Sequence, residues 1–266
     1  MDCHEQKDFF HANGYLIIAD LLGELELAKS RSEIHRLHQR AAELAQTGDL
    51  AHSDFQLEPY ARAQHSNGLP VLRKIENTRR YSDWFSDLAA YPELVRTVQQ
   101  LIGADLLLFR STLMLKPAYH GSAHALHQDS AYWPMDPPTL ITVSIALDDA
   151  TAANGCIKVI PGSHEWDLRE WGHIAQDQDH PLTAREDIDL SDQIDVPLKA
   201  GSALLFHSKL VHGSGPNKTD RSRHTALYAY FSPAVRYMPG PDAPRSRSFP
   251  VISGLHGATD HMLRAD

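Results

Sequence analysis

The chain has 266 residues, 42% of them hydrophobic and 22% charged, so we expect one soluble domain with a sizeable core. Its net charge of -9 argues against nucleic acid or an anionic membrane surface as a partner, since both require a basic footprint. No apolar stretch approaches the roughly 18 residues of a membrane span, and neither end carries a recognised targeting signal. We therefore expect a cytoplasmic location, with Cys3 and Cys156 as free thiols.

Two helices are predicted in the first part of the chain. The first is amphipathic and about six turns long. Its apolar face comprises Leu27, Ile34, Leu37, Ala41 and Leu44. The second begins with Pro92 at its first position and stops at Gly103, which follows the usual placement of proline and glycine at helix ends.

From residue 106 onward, short apolar runs of strand length alternate with proline, glycine and asparagine. The predicted strands cover residues 107–116, 141–147, 157–160 and 203–206. This order predicts a mostly β barrel or jelly roll with helices packed on the outside. We divide the single domain into a helical part (about 1–103), a jelly-roll core (about 104–235), an acidic insert within that core (about 165–195) and a C-terminal extension (about 236–266).

The acidic insert, residues 165–195, carries ten acidic side chains against only Arg169 and Arg185. Its net charge of -8 nearly equals that of the whole chain. One interpretation is a solvated acidic loop. The other is a functional lid that favours a cationic, amine-bearing small-molecule substrate.

The triplet His127, Gln128, Asp129 is the strongest candidate for a functional site, together with His212. On a strand, side chains two positions apart share a face, so His127 and Asp129 would project together, and His124 would not. With a distant His212, they would provide two imidazoles and one carboxylate, the facial triad of non-heme Fe(II) oxygenases. The triplet alone is a weak signal in a chain with 17 histidines.

Three ordered motifs make the sequence resemble the phytanoyl-CoA dioxygenase family. They are HQDSAYW at residues 127–133, NGCIKVIPGSH at 154–164, and HGSGPN at 212–217 followed by Arg223. The segment FHANGYLII at residues 10–18 is also similar to the opening of that family. The resemblance therefore covers roughly residues 8–235.

The resemblance implies a double-stranded β-helix and a reaction that uses Fe(II), 2-oxoglutarate and O2 and releases succinate and CO2. It assigns the iron to His127, Asp129 and His212, and it makes Gln128 a contact to cosubstrate or substrate. It assigns the distal carboxylate of 2-oxoglutarate to Arg223, whose planar fork of donors suits a carboxylate. Retention of Asp129 favours oxygenation, because relatives that transfer halide have a small residue there.

Other residues near these motifs have two interpretations each. Lys116 ends the strand before the metal motif and would either reach the cosubstrate or substrate or lie on the surface. Tyr132 and Trp133 would line the substrate pocket or belong to the core. Ser144 stands where many relatives carry a tryptophan near the cosubstrate. Arg221 shares strand parity with Arg223, but the eleven-residue spacing from the distal histidine favours Arg223.

The leading hypothesis is an Fe(II)- and 2-oxoglutarate-dependent oxygenase that hydroxylates an amino-acid-like or natural-product metabolite. The same site chemistry supports desaturation, epoxidation or cyclisation, depending on where the substrate carbon lies. A non-catalytic, metal-containing jelly-roll binding protein and a metal-dependent hydrolase or isomerase are the alternatives. Phytanoyl-CoA is not expected, because only the weak basic cluster Arg73, Lys74, Arg79 and Arg80 could contact the phosphates of coenzyme A. The sequence gives no indication of the oligomeric state.

Overall fold

The computed structural model describes residues 2–61, 65–66, 68–177, 179–183 and 185–265. The helices are α1 (Cys3–Asn13), α2 (Glu24–Thr47), α3 (Asp83–Leu88) and α4 (Pro92–Ile102). Helices α2 and α4 are the two predicted from the sequence. Proline begins α4 and Gly103 follows its last residue, as expected. Within the described residues, no helix combines the length and apolarity that crossing a membrane would require.

The strands are mostly short and occur along the whole chain. They are β1 (Tyr15–Ile18), β2 (Phe55–Leu57), β3 (His65–Ser66), β4 (Leu69–Pro70), β5 (Leu72–Glu76), β6 (Leu106–Lys116), β7 (Ala123–His127), β8 (Met135–Asp136), β9 (Ile141–Ala146), β10 (Ile157–Val159), β11 (Ala175–Gln176), β12 (Ile194–Val196), β13 (Ala203–His207), β14 (His212–Ser214), β15 (Arg223–Phe231), β16 (Arg236–Tyr237), β17 (Ser246–Ser253) and β18 (Asp260–Arg264). Strands β6, β9, β10 and β13 confirm the four predicted strands to within a residue or two.

Two antiparallel sheets form the body of the protein. The large sheet has the order β1-β13-β9-β15-β6-β17-β18, with β5 paired to β6 and β2 paired to β5. The small sheet has the order β11-β7-β14-β10-β12. A cavity of about 420 Å³ draws its lining from both sheets and therefore lies between them. This arrangement confirms the predicted jelly roll, in which two sheets enclose one interior.

Strand β15 shows how alternation separates the cavity from the helical layer. Arg223, Thr225 and Leu227 line the cavity. Tyr228 and Tyr230 are fully buried on the other face of the strand. The hydroxyl of Tyr228 donates to the carbonyl of Phe85 in helix α3, and that of Tyr230 donates to the carbonyl of Ala89, which follows the helix, both at 2.8 Å. A sheet covered on both faces explains why every residue of β9 is buried.

The helical part and the C-terminal extension are less separate from the jelly roll than their composition suggests. Strand β1 pairs with β13, and β5 pairs with β6, so residues before 104 contribute strands to the large sheet. Strand β17 pairs with the beginning of β6 and with β18. The interpretation of residues 1–103 as helical is therefore wrong for these segments. Cys3 and Cys156 are free thiols, as predicted.

Candidate metal centre and active site

The three predicted metal ligands lie together at one end of the small sheet. His127 is the last residue of β7 and pairs directly with His212, the first residue of β14. Asp129 begins a short 3-10 turn and is not on a strand, so the parity argument for it is wrong. The turn nevertheless places its Oδ1 atom 3.5 Å from the Nε2 atom of His127 and 3.9 Å from the Nε2 atom of His212.

Hydrogen bonds around these ligands leave the correct atoms available for a metal. The Nδ1 atom of His127 lies 2.8 Å from the carbonyl of Ala125, and that of His212 lies 2.9 Å from the carbonyl of Leu210. A carbonyl can only accept, so each Nδ1 donates, and in the neutral imidazole the lone pair is then on Nε2. Such contacts to the far ring nitrogen are typical of metal-binding histidines.

The protonation states of the buried ligands also suit a divalent metal. Burial raises the pKa of Asp129, but the adjacent imidazoles of His212 and His127 outweigh it and lower the pKa to about 2. Burial, and then the neighbouring His127, lower the pKa of His212 to about 4. At neutral pH the carboxylate is therefore ionised and His212 is neutral. The donor atoms of all three residues lie within 4.8 Å of one another, so these residues fit a metal ion.

Arg223 lies in the same cavity, at the first position of β15 and opposite Lys116 on β6. Its side chain is buried, and it donates from Nη1 to the hydroxyl of Thr225 at 2.7 Å and from Nη2 to the carbonyl of Gly155 at 2.8 Å. Its buried Nε atom has no hydrogen-bond partner in the described residues. Burial lowers the pKa of Arg223 to about 10, so the side chain stays charged at neutral pH. The free donor fits a carboxylate such as that of 2-oxoglutarate, whereas Arg221 is exposed and precedes the strand.

Lys116 lines the cavity beside Arg223 and is buried, so its interpretation as a surface lysine is wrong. Its Nζ atom donates to the carbonyls of Ser122 at 2.7 Å and Gly215 at 2.6 Å. Burial, followed by the charge of Arg223, lowers its pKa well below the ordinary value. Two of the three N–H donors of the Lys116 ammonium group are thus bonded to backbone carbonyls of the protein.

Gln128 does not line the cavity. Its Nε2 atom donates to the carbonyls of Lys209 at 3.0 Å and Asp167 at 3.3 Å. Its Oε1 atom accepts from the backbone of Arg169 at 3.1 Å and from the indole of Trp171 at 3.2 Å. The side chain predicted to contact cosubstrate or substrate instead joins the metal loop to the acidic insert.

Tyr132 and Trp133 line the cavity, and Ser144 forms part of its wall on β9. Tyr132 is 44% exposed, and its hydroxyl donates to the carbonyl of Gly172 at 2.8 Å. The ring of Trp133 packs on that of Phe109, with the ring centres 4.9 Å apart. Trp133 therefore belongs both to the cavity wall and to an apolar cluster, and its two interpretations are compatible.

The acidic insert is packed against the small sheet and forms one wall of the cavity. Its strand β11 pairs with β7, and residues 172–175 line the cavity. Trp166 and Trp171 pack against a buried apolar cluster that includes Leu126 of β7. Asp187 bonds to both Arg169 and Arg185. None of the described acidic side chains of the insert lines the cavity, so the acidic-lid interpretation has no support there.

The cavity instead has a lining rich in basic side chains, the cationic lining, of which the sequence predicts only Arg223 and Lys116 near the cosubstrate. It consists of Arg73, Lys74, Arg110, Lys116 and Arg223. Asp129 is the one acidic side chain among the described lining residues. The sequence places Arg73 and Lys74 in a weak basic cluster with Arg79 and Arg80, but the latter two are exposed.

Strand parity indicates one of the lining residues that the sequence analysis omits and gives the wrong result for another. Arg110 shares its parity along β6 with Lys116, which was a usable signal. His124 also lines the cavity, although parity predicts that it faces away from His127. Strand β7 is thus not a uniform ladder, and its pairing with β14 shifts register between His212 and Ser214.

A jelly roll whose interior holds two imidazoles, one carboxylate and a buried arginine defines the class of non-heme, 2-oxoglutarate-dependent oxygenases. The sequence profile of the phytanoyl-CoA dioxygenase (PhyH) family matches residues 10–225. The chain therefore belongs to the phytanoyl-CoA dioxygenase family, as its motifs predicted.

Similar proteins span several reactions. The chain is 27% identical over 244 residues to the peroxisomal phytanoyl-CoA dioxygenase of Rattus norvegicus, covering 88% of this chain and 70% of the relative. It is also 27% identical over 244 residues to the ectoine dioxygenase of Nocardia farcinica (strain IFM 10152), covering 86% and 77%. The epimerase SnoN, solved with Fe3+, alpha ketoglutarate and nogalamycin RO, has a TM-score of 0.70 at 22% identity, covering 94% of this chain and 98% of SnoN. The last likeness supports the jelly-roll fold.

Proposed function

We propose that the protein is an Fe(II)- and 2-oxoglutarate-dependent oxygenase that hydroxylates a small metabolite, with succinate and CO2 as co-products. One observation carries this proposal. The two Nε2 atoms and the Oδ1 atom of the triad converge in the same cavity as a buried arginine whose Nε atom has no hydrogen-bond partner in the described residues. Retention of Asp129 supports oxygenation over halogenation.

In this proposal each group of the chain has a defined task. His127, Asp129 and His212 hold the iron, and Arg223 binds the distal carboxylate of 2-oxoglutarate. Iron, 2-oxoglutarate and O2 together supply the oxidation of an unactivated carbon. The aromatic wall around Trp133 excludes water and positions the substrate carbon. Where that carbon lies decides between hydroxylation and the alternative outcomes of desaturation, epoxidation and cyclisation.

The proposed substrate is an amino-acid-like or natural-product molecule. A cavity of about 420 Å³ is in the range of sites for small molecules. The cationic lining gives no support to an amine as the group that the protein selects. A cytoplasmic location stays a prediction.

The test is anaerobic addition of Fe(II) and 2-oxoglutarate to the purified protein. We expect the weak visible charge-transfer absorption of a metal-chelated 2-oxo acid and, in air, succinate release that a substrate panel stimulates. Asp129→Ala should lose both signals, whereas Asp136→Ala, which removes an exposed carboxylate paired with Arg236, should retain both. A folded, iron-loaded wild-type protein without the absorption would exclude the oxygenase proposal and leave the binding-protein or hydrolase alternatives.

A further inference from the structure

Arg73, like Lys116 and Arg223 in the cationic lining, forms no direct ion pair with a carboxylate in the described part of the chain. Lys74 and Arg110, by contrast, share Glu76, with N to O distances of 2.7 and 2.6 Å. Burial opposes ionisation of Glu76, but Arg110 and Lys74 lower its pKa to about 2, so this group carries two positive charges and one negative charge. The Arg73 guanidinium adds a further positive charge, which Glu58 and Glu76 favour electrostatically without forming a direct ion pair with it.

The hydrogen bond between Arg73 and His124 determines which atoms remain available. The Nη2 atom of Arg73 lies 2.9 Å from the Nε2 atom of His124. A guanidinium can only donate, so Nε2 accepts and the proton of the neutral imidazole is on Nδ1. Burial, followed by the charge of Arg73, lowers the pKa of His124 well below its ordinary value, which keeps the ring neutral.

Two buried donors therefore lie on adjacent, hydrogen-bonded side chains. Neither the Nε atom of Arg73 nor the Nδ1 atom of His124 has a partner among the described residues. Both residues line the cavity that contains the metal centre. Buried polar groups are normally hydrogen-bonded, and two N–H donors beside a guanidinium without a direct ion pair are complementary to an oxyanion.

We propose that Arg73 and His124 form an anion subsite that binds a carboxylate or phosphate group of the primary substrate. The inference rests on the proposed function and extends it to the class of substrate. The two carboxylates of 2-oxoglutarate are already assigned, one to the metal and the other to Arg223. A further anionic group in the cavity therefore belongs to the molecule that is oxidised.

The test uses the full chain loaded with Zn(II) and N-oxalylglycine, an unreactive analogue of 2-oxoglutarate that fills the cosubstrate site. Calorimetric titration with phenylacetate, phenyl phosphate and the neutral phenylacetamide then measures the preference for an anion. We expect at least one of the two anions to bind the wild type about tenfold or more tightly than the amide. A preference for phenylacetate identifies a carboxylate as the group bound, and a preference for phenyl phosphate identifies a phosphate.

Arg73→Gln should remove this preference and leave the affinity for N-oxalylglycine unchanged. Arg79→Gln, which removes an exposed arginine close in sequence, should retain the preference. Equal binding of the amide and both anions by the wild type, or no binding of either anion, would overturn the subsite without requiring any variant to fold. Loss of N-oxalylglycine affinity in Arg73→Gln would assign Arg73 to the cosubstrate and overturn it as well. Failure of the oxygenase proposal would appear separately, as the missing absorption with Fe(II) and 2-oxoglutarate.

Discussion

Thr142 donates a hydrogen bond from its hydroxyl to the Oδ2 atom of Asp129 at 2.8 Å, and both side chains are buried. Thr142 lies on β9 of the large sheet, whereas His127 and His212 lie on the small sheet. This contact fixes the carboxylate with Oδ1 toward the imidazoles. The turn that carries Asp129 is therefore held by the sheet opposite the two histidines.

We expect Thr142→Val to weaken metal binding by about tenfold to hundredfold, as is usual when a group that orients a ligand is removed. Valine keeps the shape of threonine and loses only the donor. Fe(II) affinity under anaerobic conditions is the measurement. Thr97→Val on helix α4, where the hydroxyl bonds to a helix carbonyl, is the matched control. Unchanged affinity in Thr142→Val would show that the hydroxyl does not orient Asp129.

Arg223→Lys should weaken 2-oxoglutarate binding by roughly tenfold to hundredfold. A lysine ammonium cannot bond to both Gly155 and Thr225 and also offer two parallel N–H donors to a carboxylate. The affinity is obtained by titrating the Fe(II)-loaded protein anaerobically with 2-oxoglutarate. Arg221→Lys should behave as the wild type because Arg221 is exposed. If Arg223→Lys retained the wild-type affinity, the carboxylate assignment would be wrong.

Gln128→Leu should release the acidic insert from the metal loop. The substitution removes the four hydrogen bonds of the Gln128 amide and leaves the indole donor of Trp171 without its acceptor. We expect faster tryptic cleavage after Arg169 and Arg185, followed by mass spectrometry of the fragments. Gln176→Leu, which removes a single exposed contact to His173, should have little effect. Equal cleavage rates in the wild type and Gln128→Leu would contradict this role.

Tyr230→Phe should lower the free energy of unfolding by about 1 to 2 kcal/mol, because the Ala89 carbonyl loses its buried donor. Tyr60→Phe removes the hydroxyl of a tyrosine that is 45% exposed and should change the value by less than about 0.5 kcal/mol. Denaturant unfolding of the three proteins measures both differences. If the free energy of unfolding fell no more in Tyr230→Phe than in Tyr60→Phe, the hydrogen bond from Tyr230 to Ala89 would not secure α3 to the sheet.

The sequence was sufficient for the strands of continuous apolar character and for the three candidate metal ligands, which the fold brings together. Strand β9 is buried throughout, so its composition alone indicates a covered strand. Strand β5, which lies before residue 104, was missed because it is short and carries the polar residues Arg73 and Lys74, which line the cavity. Lys74 and Glu76 of β5, for example, face a polar network with Arg110 and not an apolar core.

Residue spacing also could not show where β7 ends. The period of two predicts a shared face for His127 and Asp129 only while the strand continues, and here the chain turns after His127. The direction of Gln128 depends on contacts with residues 167–171 and 209, which are distant in sequence. Similarly, the charge of the acidic insert gave no information about which of its side chains line the cavity.

The acidic insert lies between two strands, β10 and β12, that pair directly with each other. Val159 of β10 lies opposite Ile194 of β12, so the intervening chain is the loop of a hairpin. A hairpin loop can lengthen, shorten or be replaced while its two strands keep their register. The cavity wall that this loop supplies is thus an exchangeable part of the molecule. A scaffold of this kind can acquire a new substrate range through changes in one loop, with the metal ligands and the buried arginine left in place.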